Sequence, residues 1–454
     1  MKLWMDVMRD IEHLMSHYEL FFDAWAAGGV DGLVIGPLFF NAAALLTGAR
    51  WAPAPGKPTT PFDPDPRVYQ RFGVEAPPAA DPAPGKRALL ERMLTAAKQR
   101  GWSVWILGAS YGSGPGGTGH ILADARSQAA FAARMVDTLE HYPVADGAIM
   151  DGPEWGYEIA PHHMNRRSYV FDDLPEDVAP KCAELGYDYA ALVAAKDRLQ
   201  ERLRHLHATR VGLHAPGGFL GAFQLLGSDP DLMAWFRFRV ESLTAFFRGV
   251  RESVDAEMSR SIKLGLGPRS AAFAPLCGYD MAELAQFIDV LLPKHYFWQR
   301  GFDGMVGTVY RYVETLTDWN PGLTDAEALT IVNALFGLVL PGMRSRSDLE
   351  SALTPEFFQK IVTQETARAL AVVGDPNRIV PWVDSGRAPH DGDPMSARDL
   401  RQLLQAAQSA GLQRFLYHHE GNLTAGEWAV MSELCGEAWQ PLKSAYCPPD
   451  QFVL

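Results

Sequence analysis

Short apolar runs that stop at glycine, proline or a carboxylate alternate with helix-type patterns along nearly the whole chain. The runs are Leu3–Val7, Val30–Pro37, Trp102–Gly108, Ala148–Met150, Ser261–Pro268, Phe287–Trp298, Arg378–Asp384 and Arg414–Glu420. Between them apolar residues recur at helical spacing. Ile11, Leu14, Met15, Tyr18, Phe21, Phe22 and Trp25 precede Gly28-Gly29; Leu89, Leu90, Met93, Leu94 and Ala97 precede Gly101. Phe131, Met135, Val136 and Leu139 form another such face, and Asp188–His207 and Asp231–Met258 are longer helices. Later helices mark their own starts. Thr324 and Thr424 open T-x-x-E capping boxes, Ser396 opens an S-x-x-D cap, and Thr354-Pro355 puts proline at a first helical position.

Strands alternating with helices pair in parallel, because each connection must cross back over the sheet. Thr209–Phe219 reads either as a further strand or as an irregular loop. Counting Leu3–Val7 and omitting Thr209–His214 gives eight strands, and the opposite choice also gives eight. The expected fold is α/β, a (β/α)8 TIM barrel with long strand-to-helix loops, over residues 1–454 as one domain. A doubly wound open sheet is the alternative, but no G-x-G-x-x-G follows an early strand. Extra helices are expected at 305–373 and a proline-rich loop insertion at 51–86. Ten prolines in those 36 residues leave no room for a regular element. The insertion also carries Arg67, Tyr69, Arg71 and Phe72, which suits a loop folded over a site, with a disordered linker as the alternative.

Composition narrows the function. A formal net charge of −13 argues against nucleic acid as a partner. Four scattered cysteines, with no C-x-x-C pair, give neither a zinc ribbon nor a disulfide scaffold. Charged residues at Asp6, Arg9, Asp10 and Glu12 interrupt what a signal peptide would need, and Ala328–Leu340 is too short to span a bilayer. The expectation is a soluble cytoplasmic protein, or a secreted or periplasmic one if a leader preceded residue 1. No membrane partner is expected, and the oligomeric state, a homo-oligomer included, stays open.

The chemistry concentrates in V-A-D-G-A-I-M-D-G-P-E-W-G-Y-E, Val144–Glu158. An apolar strand there ends in Asp151 and Glu154 beside Trp155. Parallel barrels place their chemistry at strand C-termini, and glycosidic cleavage needs two carboxylates with flat rings for a sugar to stack on. Pro153 and Trp155 suggest a partly apolar pocket around Glu154, the setting of a general acid. Asp151 is then the nucleophile or a partner orienting Glu154. A second catalytic carboxylate comes from another strand end, Glu420 or Asp384, with Glu420 slightly preferred. Capping or ion-paired roles are the alternative for each. Trp155, Trp298, Trp382, Tyr111 and Tyr296 are candidate stacking platforms, with core packing as the alternative. His295, His214 and His418 are candidates to bond sugar hydroxyls. Tyr111 opens a glycine-rich segment, Tyr111–Gly119, that lacks the G-K-[ST] of a phosphate loop.

The chain resembles the glycoside-hydrolase-like barrels, bacterial glycosyl hydrolase-like proteins among them. The carriers are D-G-A-I-M-D-G-P-E (Asp146–Glu154), K-L-G-L-G-P (Lys263–Pro268), D-V-L-L-P-K-H-Y-F-W (Asp289–Trp298) and G-L-Q-R-F-L-Y-H-H-E (Gly411–Glu420). The resemblance spans Val30 to Gly436 and implies a catalytic carboxylate at the end of the fourth strand. The first motif also looks like the chitinase-type D-G-x-D-x-D-x-E. It departs at Ile149, where that pattern has Asp, and Glu154 comes one residue late, so substrate-assisted chitinase chemistry does not carry over.

The leading expectation is a glycoside hydrolase acting on an oligosaccharide or glycoside without a cofactor or metal. A non-catalytic carbohydrate-binding barrel is one alternative. A metal-dependent hydrolase is the other, with His162-His163, His205/His207 and His418-His419 as its histidine clusters. Adjacent histidines on a strand point to opposite faces, so only one of His418 and His419 is expected to reach a common centre.

Overall fold

The computed structural model describes residues 1–8, 11–36, 62–77, 84–109, 120–161, 169–172, 174–227, 229–387, 390 and 392–448, with backbone alone at 11–13, 84–86 and 219. Nine parallel strand segments order as β6-β5-β4-β3-β2-β1-β9-β8-β7. They are β1 Lys2–Val7, β2 Val30–Ile35, β3 Ser103–Ala109, β4 Gly147–Asp151, β5 Lys263–Leu266, β6 Val290–Leu291, β7 Lys294–His295, β8 Trp382–Val383 and β9 Arg414–Tyr417. The two ends of this order, β6 and β7, are halves of a single stave interrupted at Leu292-Pro293. Pro293 has no N–H to give to a ladder, which breaks the strand without diverting it. The first half pairs with β5 and the second with β8. Bonds from Leu292 N–H to Leu266 O (2.8 Å) and from Val380 N–H to Leu291 O (2.9 Å) tie the same stave to both neighbours. The sheet therefore closes, and the fold is a (β/α)8 barrel.

Side chains fill the barrel. Trp4 on β1 and Trp105 on β3 meet inside it with ring centroids 5.3 Å apart. Strand period two places Asp6 on the same face as Trp4, so a carboxylate points inward at the C-terminal mouth. Helices Ile11–Ala27, Pro84–Gln99, Ala125–His141 and Ala397–Ser409 make simple crossovers. The capping boxes expected at Thr324, Ser396 and Thr424 all form.

Two expectations fail locally. Thr209–Phe219 is neither strand nor loop: helices cover Ala208–His214 and Gly218–Leu226 with a 3-10 turn between them. The residues buried there, Val211 and Ala215, stand four apart while Leu213 is exposed, so a helical face decides the outcome. Leu3–Val7 is the strand that completes the barrel. The proline-rich stretch does hold a regular element, helix Pro66–Arg71. Its proline sits at the first helical position, where no N–H is needed, and the Asp65 carboxylate accepts from the Arg67 N–H. Among the described residues no helix is long and apolar enough to cross a membrane.

Candidate active site

The C-terminal mouth is built from residues that end or follow the staves. β1 and β9 are neighbours, with Met5 level with Tyr417. The residues one step further on, Asp6 and His418, meet: His418 Nδ1 is hydrogen-bonded to Asp6 Oδ2. On the opposite wall Asp151, closing β4, lies 3.0 Å from Lys294 Nζ on β7. Trp382 on β8 crosses towards β5. A Cβ at Gly267 would come within 2.1 Å of its ring, so only glycine fits there. The ring carries Lys294 Nζ at 5.8 Å and packs on His418 at 5.5 Å.

A second set of polar groups surrounds this centre. Arg269, just past β5, donates through Nε to Glu154 Oε1 (2.6 Å) and pairs with Asp303. The Tyr157 hydroxyl donates to Asp303 Oδ1 at 2.8 Å. Asp384, following β8, accepts from the Gly386 N–H through Oδ1 (2.8 Å), at a turn where φ of Gly386 is +85°. Its Oδ2 lies 3.2 Å from His390 Nδ1, and His390 Nε2 is 3.9 Å from Asp303.

Charge converges on Tyr296. Burial raises its phenol well above the ordinary tyrosine value, and Asp384, Asp151, Asp303 and Asp6 raise it further. The Asp6 carboxyl is also raised: burial drives it up, His418 pulls it back, and Asp151 and Asp384 add to the rise. Asp6 and Asp384 are fully buried, whereas the Asp151 side chain keeps 12% of its surface and that of Glu154 17%. The solvent-reached part of the cluster is thus the β4 wall.

Of the residues singled out from sequence, Asp151, Glu154, Asp384, Tyr296, Trp382 and His418 share this mouth. Trp298 lies at its rim, fully buried, with its indole N–H given to Phe302 O at 3.0 Å, so it serves as packing and not as an open platform. Trp155 is likewise packing and not an open platform. Its N–H donates to Arg239 O and Ser242 Oγ on the long helix Pro230–Glu257, and its ring stacks on His120 at 4.6 Å. His295 faces away from the mouth, because it alternates with Lys294 and Tyr296; its Nε2 meets Thr366 Oγ1 at 2.9 Å. Glu420 lies buried in a 3-10 turn directly after His419; burial raises the Tyr446 phenol, and the charge of Glu420 raises it further. His214 is the last residue of helix Ala208–His214, which packs on neighbouring helices. Tyr111 and the 162–163 histidine pair lie outside the described residues.

His418 and His419 both turn towards Asp6, contrary to strand alternation. β9 ends at Tyr417, so the alternation stops before them; the peptide bond joining them is cis and their rings lie 3.5 Å apart. Among the described residues, Asp6, His418 and His419, and also Asp384, His390 and His418, bring possible ligand atoms within 4.8 Å of one another. Sequence reading missed Asp6, Lys294, Arg269, Asp303 and His390. The first two carried a signal, charge embedded in an apolar strand; the other three are loop residues with no periodic context.

No protein-family model and no curated protein matches the chain. Solved structures similar to it include a chitinase from Rhizomucor miehei, 11% identical, covering 96% of this chain and 100% of that one with a TM-score of 0.40. The Ostrinia furnacalis Group IV chitinase is 11% identical, with 99% and 96% coverage and a TM-score of 0.43. Human YKL-39, described as a pseudo-chitinase with retained chitooligosaccharide binding, is 8% identical, with 97% coverage of both chains and a TM-score of 0.42. Such distant likenesses carry no functional argument, and the barrel itself rests on the strand pairing.

Proposed function

We propose that this protein hydrolyses a glycosidic bond in an oligosaccharide or glycoside, with Asp151 as the reacting carboxylate and Glu154 as its acid/base partner. The observation that carries the reading is the convergence of Asp6, Asp151, Asp303 and Asp384, from four separate segments, on the buried Tyr296 phenol. Acetal cleavage needs one group to protonate the leaving oxygen and another to stabilise or capture the oxocarbenium-like carbon. Asp151 suits the second role: Lys294 orients one of its oxygens, and it stands on the wall that solvent reaches. Glu154 is assigned the first: Arg269 holds its Oε1, and Oε2, which makes no hydrogen bond to the protein, is the oxygen that has to carry the proton for the leaving group.

A panel of aryl glycosides and oligosaccharides tests the reading. The wild type should turn over at least one of them. Asp151→Asn and Glu154→Gln should each lose about 10²–10⁴-fold in kcat, the usual worth of positioned acid–base groups. Oligosaccharide binding without turnover, or turnover that survives both substitutions, would remove the catalytic assignment.

A further inference from the structure

We infer that the mouth holds a divalent first-row transition ion, zinc foremost, bound by Asp384 Oδ2, His390 Nδ1 and His418 Nε2. The inference stands apart from the reading of Asp151, since metal binding can be measured without any substrate.

Two buried atoms carry it. Asp384 Oδ2 and His390 Nδ1 lie 3.2 Å apart, yet neither makes a hydrogen bond. Both side chains are more than nine-tenths buried. With the ring neutral, that nitrogen and the carboxylate oxygen both offer lone pairs and can ligate a third atom. Donors around a tetrahedral zinc, with bonds of ~2.0–2.1 Å, stand about 3.3 Å from one another. His418 completes the set, its ligand atom within 4.8 Å of the other two. Its Nδ1 is committed to Asp6, which leaves Nε2 as the donor. A carboxylate behind a ligating histidine fixes its tautomer and ring orientation, and Asp6 is placed to do that. Asp303 stands behind the other nitrogen of His390 at 3.9 Å. Two histidines, one carboxylate and open positions make a donor set that suits zinc or iron(II) over calcium or magnesium.

Chelator-stripped, full-length protein titrated with zinc should take up one ion per chain, read by calorimetry and by elemental analysis after gel filtration. Asp6→Asn should weaken binding by roughly 10–100-fold, the usual effect of losing a ligand's hydrogen-bond partner, and His390→Ala or Asp384→Asn by more. Substituting His205, exposed on an outer helix, should change nothing. If the ligand variants do not fold, cobalt(II) added to the wild type still decides. Intense visible bands of a four- or five-coordinate ion support the site, and the weak spectrum of aqueous cobalt overturns it. Zinc uptake that persists in folded His390→Ala also overturns it. Metal binding without Asp151-dependent turnover would leave this site standing and remove the carboxylate mechanism; the reverse result would do the opposite.

Discussion

Asp6 and His418, 412 residues apart in sequence, share a hydrogen bond at the seam where the first and last strands meet. Closing the barrel is what brings them together, and the bond fixes the ring of a histidine at the mouth. Asp6→Asn keeps the shape but offers the ring an amide in place of a carboxylate. Turnover should fall by roughly 10–100-fold and the pH–rate profile should move, with circular dichroism unchanged. A parallel fall in helicity would mark Asp6 as structural only.

The same carboxyl should show in stability. Burial holds Asp6 above its ordinary value of 3.8 in the folded chain. The folded state then keeps its proton to higher pH than the unfolded state. That contribution is complete below 3.8 and is lost as pH rises through the folded value. Asp6→Asn should therefore gain on the wild type in urea unfolding as pH rises from about 4 towards neutrality.

His295 gives the opposite slope. Burial pushes its imidazole from 6.5 down to about 3, so the folded chain keeps it neutral while the unfolded chain protonates it. Its stabilisation is complete above 6.5 and is lost as pH falls towards 3, by at most about 1.4 kcal/mol per pH unit. His295→Gln should flatten the acid limb of a Tm-against-pH curve and leave turnover intact. A loss of turnover would return His295 to the site.

Arg269 lies buried between Glu154 and Asp303. Arg269→Ala strands two carboxylates in a poorly solvated place and should cost about 3–5 kcal/mol in denaturant unfolding. Arg269→Lys should recover much of that stability but not turnover, because an ammonium cannot hold Glu154 as a planar fork does.

Gly267→Ala tests the position of Trp382. The added methyl has no space beside that ring. It should cost about 1–3 kcal/mol by overpacking and depress kcat/KM as the ring moves off Lys294 and His418. Unchanged kinetics with lowered Tm would confine Trp382 to the core.

Local signals along the chain were enough to read the barrel and one of its walls. Strand and helix periods are local, capping boxes span four residues, and Asp151 and Glu154 stand in one short motif, so each could be read without knowing what packs on what. Even there, local rules had limits: Pro66 starts a helix where proline density suggested none, and Val211 and Ala215 make a helical face in a segment that read as either strand or irregular loop. The rest of the site follows from packing between distant segments. Whether a residue after a strand faces the mouth or the helical layer depends on where the ladder ends. His295 therefore turns away, while His418 and His419 turn in together. Asp6, Lys294, Arg269 and His390 belong to separate segments, with Asp303 in the loop that leaves Lys294's strand, and no spacing along the chain encodes how folding joins them. A charged side chain becomes part of a cluster when folding buries it beside others, and that is a property of the closed barrel, not of any stretch within it.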